Sequence, residues 1–164
     1  MSYTNYEKAL ERAKGCEYYK IGNGQPQETI DKAENLFGFK FSKQNYDYFK
    51  NLGYLGFFGL ELYGIYDDNF FSGIPADSCI ETALVDRKET NLPKEWLPIY
   101  FFDDGYMGYL DYSQLNEDSE PPVIMAIYNG EKYVVVERVA EDFGDFLLEL
   151  VEQQLKYQEE NPVD

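Results

Sequence analysis

The hydrophobic pattern of the chain changes character near Gly53, and this change sets the fold class. Before Gly53, apolar residues recur at helical spacing in three segments, residues 5–15, 27–37 and 43–52. After it, a further helix is predicted at 78–89 and a last one from near Asp142, and strand-like runs lie at 98–102, 106–112, 123–128 and 132–139. Helices followed by mostly antiparallel strands and a closing helix predict an α+β fold.

Local signals mark where several of these elements end. Gly38 follows the last periodic residue of the second helix, where a left-handed cap is expected, and Ser42 is placed to cap the third. The dipeptide Asn129-Gly130 predicts a hairpin with a type I′ turn, in which both residues have positive φ. A length of 164 residues suits one domain. We expect it to span residues 1–158, with a frayed tail at 159–164.

Acidic charge is concentrated in the later two-thirds of the chain. Residues 1–52 carry eight Lys and Arg against seven Asp and Glu, whereas the whole chain has a net charge of −17. Such asymmetry predicts one strongly negative face. It disfavours nucleic acid and anionic membranes as partners and favours a basic protein. The alternative is that the charge only keeps the protein soluble.

Cysteine usage and the N-terminus indicate a cytoplasmic protein. The two cysteines, Cys16 and Cys79, are too few for a disulfide framework and lack C-x-x-C spacing. The first 15 residues carry charges every few positions and have no apolar core of a secretory signal. No run approaches the 18 apolar residues or so that would cross a bilayer.

The sequence contains few residues in patterns typical of catalytic sites. The chain has no histidine, which excludes Ser-His-Asp, Cys-His and H-E-x-x-H sites. We therefore predict no cofactor, no metal ion and no enzymatic activity. A carboxylate-based glycoside hydrolase using Glu61, Asp103, Asp104 or Asp111 is the weaker alternative.

Binding is the function that remains. Tyrosine offers rigid contact area with a polar tip, and carboxylates steer a basic partner into contact. The competing interpretation places alternate tyrosines of these strands in the core. The predicted partner-binding residues are Glu61, Tyr63, Asp67, Asp68, Asp103, Asp104, Tyr106, Tyr109, Asp111, Tyr112, Glu117 and Asp118.

The stretch "TIDKAENLFGFKFSKQNYDYFKNLGYLG" resembles the signature of the SUKH superfamily. The matching positions are Ile30, Ala33, Glu34, Phe37-Gly38, Tyr46 and Phe49. "LELYGIY", "EWLPIYFFDDGYMGYLDYS" and "VAEDFGDFLLEL" are similar to later segments of that family, so the resemblance covers residues 20–155. Phe41-Ser42 departs from the usual Leu-Pro, and "FFDDGYMG" lacks the usual Gly-Asn.

The resemblance implies a curved, mostly antiparallel sheet flanked by helices, and no catalysis. Bacterial members of the superfamily are immunity proteins that bind and neutralise a cognate toxin, commonly a nuclease, so a basic toxin protein is the expected partner. Fungal relatives imply the alternative, a non-catalytic regulatory scaffold or ligand-sensing domain related to cell-wall synthesis. The charge favours the first, because a nuclease presents a basic surface to phosphates.

Overall fold

A computed structural model describes residues 2–162, which form five helices and seven strands and confirm the α+β class. In chain order the elements are α1 (Ser2–Ala13), β1 (Lys20–Ile21), α2 (Gln27–Phe37), α3 (Lys43–Asn51), β2 (Leu55–Phe57), β3 (Leu60–Glu61), α4 (Cys79–Thr90), β4 (Trp96–Asp103), β5 (Tyr106–Asp111), β6 (Val123–Tyr128), β7 (Tyr133–Ala140) and α5 (Phe143–Glu160).

The predicted caps at Gly38 and Ser42 both form. Gly38 ends α2 with a φ of 98°, and its N–H donates to the carbonyl of Glu34 at 2.8 Å. The hydroxyl of Ser42 accepts a hydrogen bond from the N–H of Asn45 and starts α3. Asp142 caps α5 by accepting from the N–H of the third helical residue. Each such cap stabilises a helix by about 1 kcal/mol.

The hairpin between β6 and β7 forms, but its turn is not the predicted one. Tyr128 pairs with Tyr133, so the loop has four residues, and only Gly130 among them has a positive φ, 97°. The side chain of Asn129 accepts hydrogen bonds from the N–H groups of Glu131 and Lys132 at 2.9 and 3.0 Å. Asparagine therefore directs this turn through its side chain.

The bounds of both terminal helices differ from those predicted. α1 begins at Ser2 and ends at Ala13, whereas the predicted segment was 5–15, and α5 continues to Glu160, two residues past the expected domain end. Of the tail predicted at 159–164, residues 163 and 164 lie outside the described residues.

The strands form two antiparallel sheets, ordered β1-β2-β3 and β4-β5-β6-β7. The N–H of Tyr63, just past β3, donates to the carbonyl of Ile99 in β4 at 2.8 Å and links the two sheets. The outer edge of β4 is thus partly occupied by the chain itself. β7 is the opposite edge of the four-stranded sheet.

The four-stranded sheet is buried on both faces along β5. The larger core lies between one face and the helices, with contributions from Leu97, Leu110, Val123, Phe143 and Leu147. A smaller core lies on the other face, formed by Ala83, Leu92, Trp96, Tyr109 and Ile124. Each large apolar side chain buried here contributes roughly 1.5–3 kcal/mol. Consequently residues 108–111 of β5 are unavailable to a partner on either face.

Candidate protein-binding site

The loop that precedes α4, residues 66–77, is here called the acidic loop. Contacts with the protein interior hold it in place. Phe70 is 1% exposed and anchors the loop in the main core. The buried carboxylate of Glu81 accepts hydrogen bonds from the N–H groups of Ser72 and Gly73 at 3.1 and 3.0 Å and from the Ser72 hydroxyl at 2.8 Å. Hydrogen bonds to an ionised group contribute about 1.5–3 kcal/mol each. The loop is therefore held in one conformation.

The exposed side chains of the acidic loop include both apolar and acidic groups. Phe71 is 70% exposed and Ile74 is 78% exposed. The exposed Asp67 and Asp68 precede them in the same loop, and neither forms an ion pair within the described chain. Sequence reasoning identified the two carboxylates but missed Phe71 and Ile74. The letters "FF" do not reveal which phenylalanine enters the core and which remains outside.

Glu61 and Tyr63, which precede the acidic loop, are less accessible to a binding partner than predicted. Glu61 is paired with Lys20, which lowers the pKa of its carboxyl group. Burial and the neighbouring Glu61 raise the pKa of Asp77 to about 6. Tyr63 is half-buried, and burial raises its pKa to about 12. These groups form a partly neutralised border to the acidic loop.

Asp103 and Asp104 lie in the turn between β4 and β5, residues 103–106 and here called the hairpin tip. Both are exposed, and neither is in an ion pair within residues 2–162. The turn requires left-handed backbone at Asp104, with φ of 51°, and at Gly105, with φ of 86°. Tyr106 is half-buried beside them. The hairpin tip is thus a small, unneutralised negative projection.

Three predicted binding residues, Tyr109, Asp111 and Tyr112, lie inside the protein, which corrects their expected exposure. They are 2%, 3% and 7% exposed. Tyr109 packs against Trp96 with ring centroids 5.2 Å apart. Burial raises the pKa of both tyrosines. The expectation assumed that one face of this hairpin meets solvent, whereas α4 and the main core cover both faces of β5.

The two buried polar side chains are fully occupied by internal hydrogen bonds. The carboxylate of Asp111 accepts from the Ser113 hydroxyl and the Gln114 amide, both at 2.6 Å. The hydroxyl of Tyr112 donates to the Asn45 side chain at 2.5 Å and accepts from the N–H of Ser42 at 3.2 Å. Asp111 therefore orders the start of the β5–β6 loop, residues 112–122, and Tyr112 fixes this loop to the start of α3.

Glu117 and Asp118 are exposed on the β5–β6 loop. Asp118 borders a depression of about 450 Å³ whose remaining lining residues are Thr4, Asn5, Asn116, Glu141, Asp142 and Asp145. The amide of Asn5 donates to Asp145 at 2.7 Å across it. Within the described chain no cluster of three or more His, Cys, Asp or Glu is arranged to hold a metal ion. Glu141 and Asp145 were not predicted, because they follow Asp118 by more than 20 positions and join it only in the folded protein.

Glu120 lies near Asp142 and Asp118, two of the residues that line this depression. It is 3% exposed, and its carboxylate accepts from the N–H of Gln44 at 3.2 Å. One of its oxygens has no partner in the described structure. Burial raises the pKa of Glu120 to about 7, and the nearby Asp142 and Asp118 add to the effect. Glu120 is thus a buried acid poised to titrate near neutral pH.

The exposed acids lie in three segments: the acidic loop, the hairpin tip and the depression beside Asp118. Asp103 pairs with Tyr106 at one end of β5, while Asp111 pairs with Trp96 at the other end. At about 3.4 Å per residue, the hairpin tip and the β5–β6 loop are separated by roughly 17 Å or more. A single acidic face that joins these segments stays a prediction.

These features define a non-repetitive α+β domain whose exposed groups suit protein recognition. No helix within residues 2–162 has the length and apolar content needed to cross a membrane. The chain matches the family model described as SMI1-KNR4 cell-wall, SUKH_5, over residues 8–152. It therefore belongs to this family of the SUKH superfamily, as the sequence resemblance implied. No curated protein matches the chain.

Proposed function

We propose that this protein is a cytoplasmic immunity protein that binds a cationic toxin domain, such as a nuclease, and blocks it by stoichiometric binding. The observation that carries the proposal is the acidic loop. It presents Phe71 and Ile74, 70% and 78% exposed, in the same loop as the exposed Asp67 and Asp68, and Glu81 holds its backbone at Ser72 and Gly73.

Exposed apolar side chains on a rigid support are suited to be energetic anchors of an interface. A few central residues usually supply most of the binding free energy, and they fill pockets on the partner. A loop that is already ordered does not lose conformational entropy on association. The hydrogen bonds from Ser72 and Gly73 to Glu81 provide this order before the partner arrives.

The acidic groups raise the rate of association with the partner and favour a cationic partner over others. A net charge of −17, with exposed carboxylates at the acidic loop and the hairpin tip that form no ion pair within the described chain, attracts a cationic protein from a distance. Such steering raises association rate constants from about 10⁵–10⁶ M⁻¹s⁻¹ to as much as about 10⁸–10⁹ M⁻¹s⁻¹ at low salt. A nuclease is a fitting partner, because its own surface must be positive to hold phosphates. Membership of the SUKH superfamily supports the same function, since its bacterial members resemble immunity proteins.

A regulatory scaffold is the second candidate, and the description of the matching family, which refers to the cell wall, favours it. Such a protein would use the same exposed surfaces for a different partner. The absence of catalysis is part of both proposals. For the hydrolase alternative, Asp103 and Asp111 lie at opposite ends of β5. Their separation of roughly 17 Å or more exceeds the 5–9.5 Å or so between the two carboxyl groups of a glycosidase.

Co-expression tests the immunity proposal. The C-terminal domain of the toxin encoded beside this gene is expressed in a host with and without this protein. We expect survival and co-purification of the two proteins only when both are present. If the host dies in both cases and the two proteins do not co-purify, the immunity function is wrong.

Paired variants test the role of the acidic loop. Combining Phe71→Ser with Ile74→Ser should raise the dissociation rate at least about 10-fold, since each anchor of this kind contributes about 1–2 kcal/mol. Tyr18→Ser is the matched control, because Tyr18 is 77% exposed but lies outside the acidic loop. Unchanged dissociation of the double variant would show that the loop is not the interface.

Charge is tested separately. Asp67→Asn with Asp68→Asn should slow association and flatten its dependence on salt between 50 and 500 mM. Glu159→Gln with Glu160→Gln, at the exposed end of α5, makes the same change in net charge at another place. Equal effects of the two pairs would mean that net charge alone, and not the acidic loop, guides the partner.

A further inference from the structure

The outer edge of β7 is open. β7 is the last strand of its sheet, and no backbone hydrogen bond within residues 2–162 joins Tyr133–Ala140 to a chain segment other than β6. Val134, Val135 and Val136 are 37%, 49% and 48% exposed along this edge. An open edge with exposed β-branched residues is a template for a further strand. The other edge of the sheet, at β4, is partly occupied through Tyr63.

A β-bulge determines where the side chain of Glu137 points; the other charged residue of β7, Arg138, is paired with Glu141. Ala126 pairs with Val135 and Met125 pairs with Glu137, so Val136 is an extra residue in β7. Without it, Glu137 would lie on the face of Val135. The bulge moves Glu137 to the face that carries α5. Bulges at sheet edges commonly re-aim a side chain in this way.

Glu137 forms one wall of a cleft between β7 and α5. The cleft has a volume of about 190 Å³, and its lining residues are Phe102, Glu137, Val139, Phe146, Glu149, Leu150 and Gln153. Its apolar groups come from β4, β7 and α5, and its two charges are both negative. Neither Glu137 nor Glu149 forms an ion pair in the described chain, and the carboxylate of Glu149 accepts a hydrogen bond from the amide of Gln153 at 3.5 Å.

An apolar cleft with two carboxylates fits the side chain of a lysine or arginine. The aliphatic stem of such a side chain packs on apolar groups while its charged end stays at the rim. Such a cation would satisfy Glu137 and Glu149 together. The neighbouring open edge offers hydrogen bonds to the backbone on which this side chain is carried.

We propose that an extended, cationic segment of the protein partner adds to β7 as a fifth strand and inserts a lysine or arginine side chain into the cleft between β7 and α5. This inference rests on the proposed function for the nature of the partner. It assigns that partner a second contact, separate from the acidic loop. The high net negative charge of −17 opposes a second copy of this chain as the occupant.

The test uses a defined probe, an eight-residue peptide of alternating lysine and valine with blocked ends. It is titrated into the ¹⁵N-labelled protein and followed by NMR. Two matched peptides serve as controls: one has glutamate for lysine, and the other carries N-methyl groups along one edge of its backbone. We expect the lysine peptide to shift the amide signals of β7 and of Glu149, and both controls to bind at least 10-fold more weakly.

Variants then locate the contact. Glu137→Lys should weaken the lysine peptide at least 10-fold, whereas Glu28→Lys, the same charge change on the exposed side of α2, should weaken it less than 3-fold. Val136→Lys places a charge on the open edge and should have an effect like that of Glu137→Lys. Signal shifts outside β7 and α5, equal binding of the N-methylated peptide, or equal effects of Glu137→Lys and Glu28→Lys would each overturn the proposal.

The same variants separate this inference from the proposed function. Toxin binding that persists unchanged in Glu137→Lys and Val136→Lys would overturn β7 as a toxin contact and leave the immunity function intact. Peptide binding at β7 without any toxin binding would overturn the immunity function alone. A dimer that sedimentation detects and that Val136→Lys dissociates would show that a second copy is the occupant, against the proposal.

Discussion

Replacing Glu120 by glutamine should change how the stability of the protein depends on pH. Glu120 is 3% exposed, and burial raises its pKa from an ordinary value of 4.5 to about 7. The folded protein thus holds the proton more tightly than the unfolded chain does. The contribution of protonated Glu120 to the free energy of unfolding is complete below about pH 4.5. It is lost as pH rises through about 7, because ionised Glu120 is disfavoured in the folded protein.

The size of this effect follows from the change in pKa. Each pH unit of difference between the folded and unfolded states corresponds to about 1.4 kcal/mol, which gives an upper limit of about 3 kcal/mol at pH 8.5. Glutamine has nearly the same shape, cannot ionise and still offers an oxygen to the N–H of Gln44. Glu120→Gln should therefore equal the natural protein within about 1 kcal/mol at pH 5 and exceed it by about 1–3 kcal/mol at pH 8.5.

Urea unfolding between pH 5 and 8.5 measures this difference, with the fluorescence of the single tryptophan, Trp96, as the signal. Glu117→Gln, an exposed residue on the same loop, is the control and should show no such trend. A difference between Glu120→Gln and the natural protein that stays constant across this pH range would refute the reasoning.

Three further changes probe the fold around the site. Tyr112→Phe leaves Asn45 without its 2.5 Å donor and should lower the free energy of unfolding by about 1–3 kcal/mol in urea titrations. Glu81→Ala leaves the N–H groups of Ser72 and Gly73 without acceptors and should increase their hydrogen exchange at least 10-fold; unchanged exchange would contradict the anchored loop. Asp77→Asn should remove a loss of stability that develops as pH rises from about 4 to about 6, which pH-dependent unfolding detects, because folding raises the pKa of Asp77 from 3.8 to about 6.

Helix ends and strand segments could be predicted from the sequence because the residues that determine them are close together in the chain. Gly38 and Ser42 act on backbone groups within four residues of themselves, so their caps were predicted correctly. The type I′ turn at Asn129-Gly130 was wrong because the asparagine side chain offered a competing hydrogen-bond pattern. The family resemblance rested on similar local residues, and it identified the fold better than the site.

The candidate site depended on distant contacts and was only partly predictable. Asp67, Asp68, Asp103, Asp104, Glu117 and Asp118 are exposed as expected. Tyr109, Asp111 and Tyr112 are not, because α4 covers the face of β5 that the alternating pattern had assigned to solvent. Phe71 and Ile74 were not predicted, because the sequence of a loop does not indicate which of its apolar side chains are exposed to solvent.

The sequence alone determined the α+β class, the helix caps, the superfamily and the large negative charge. These follow from residue spacing, from hydrogen bonds between near neighbours and from composition. Only the tertiary structure decided which of the predicted acids and tyrosines are exposed, that residues 108–111 of β5 are enclosed on both faces and that β7 has an open edge. Each of these depends on which distant segments pack together, and packing is set by the summed burial of the whole core rather than by any short stretch of the chain.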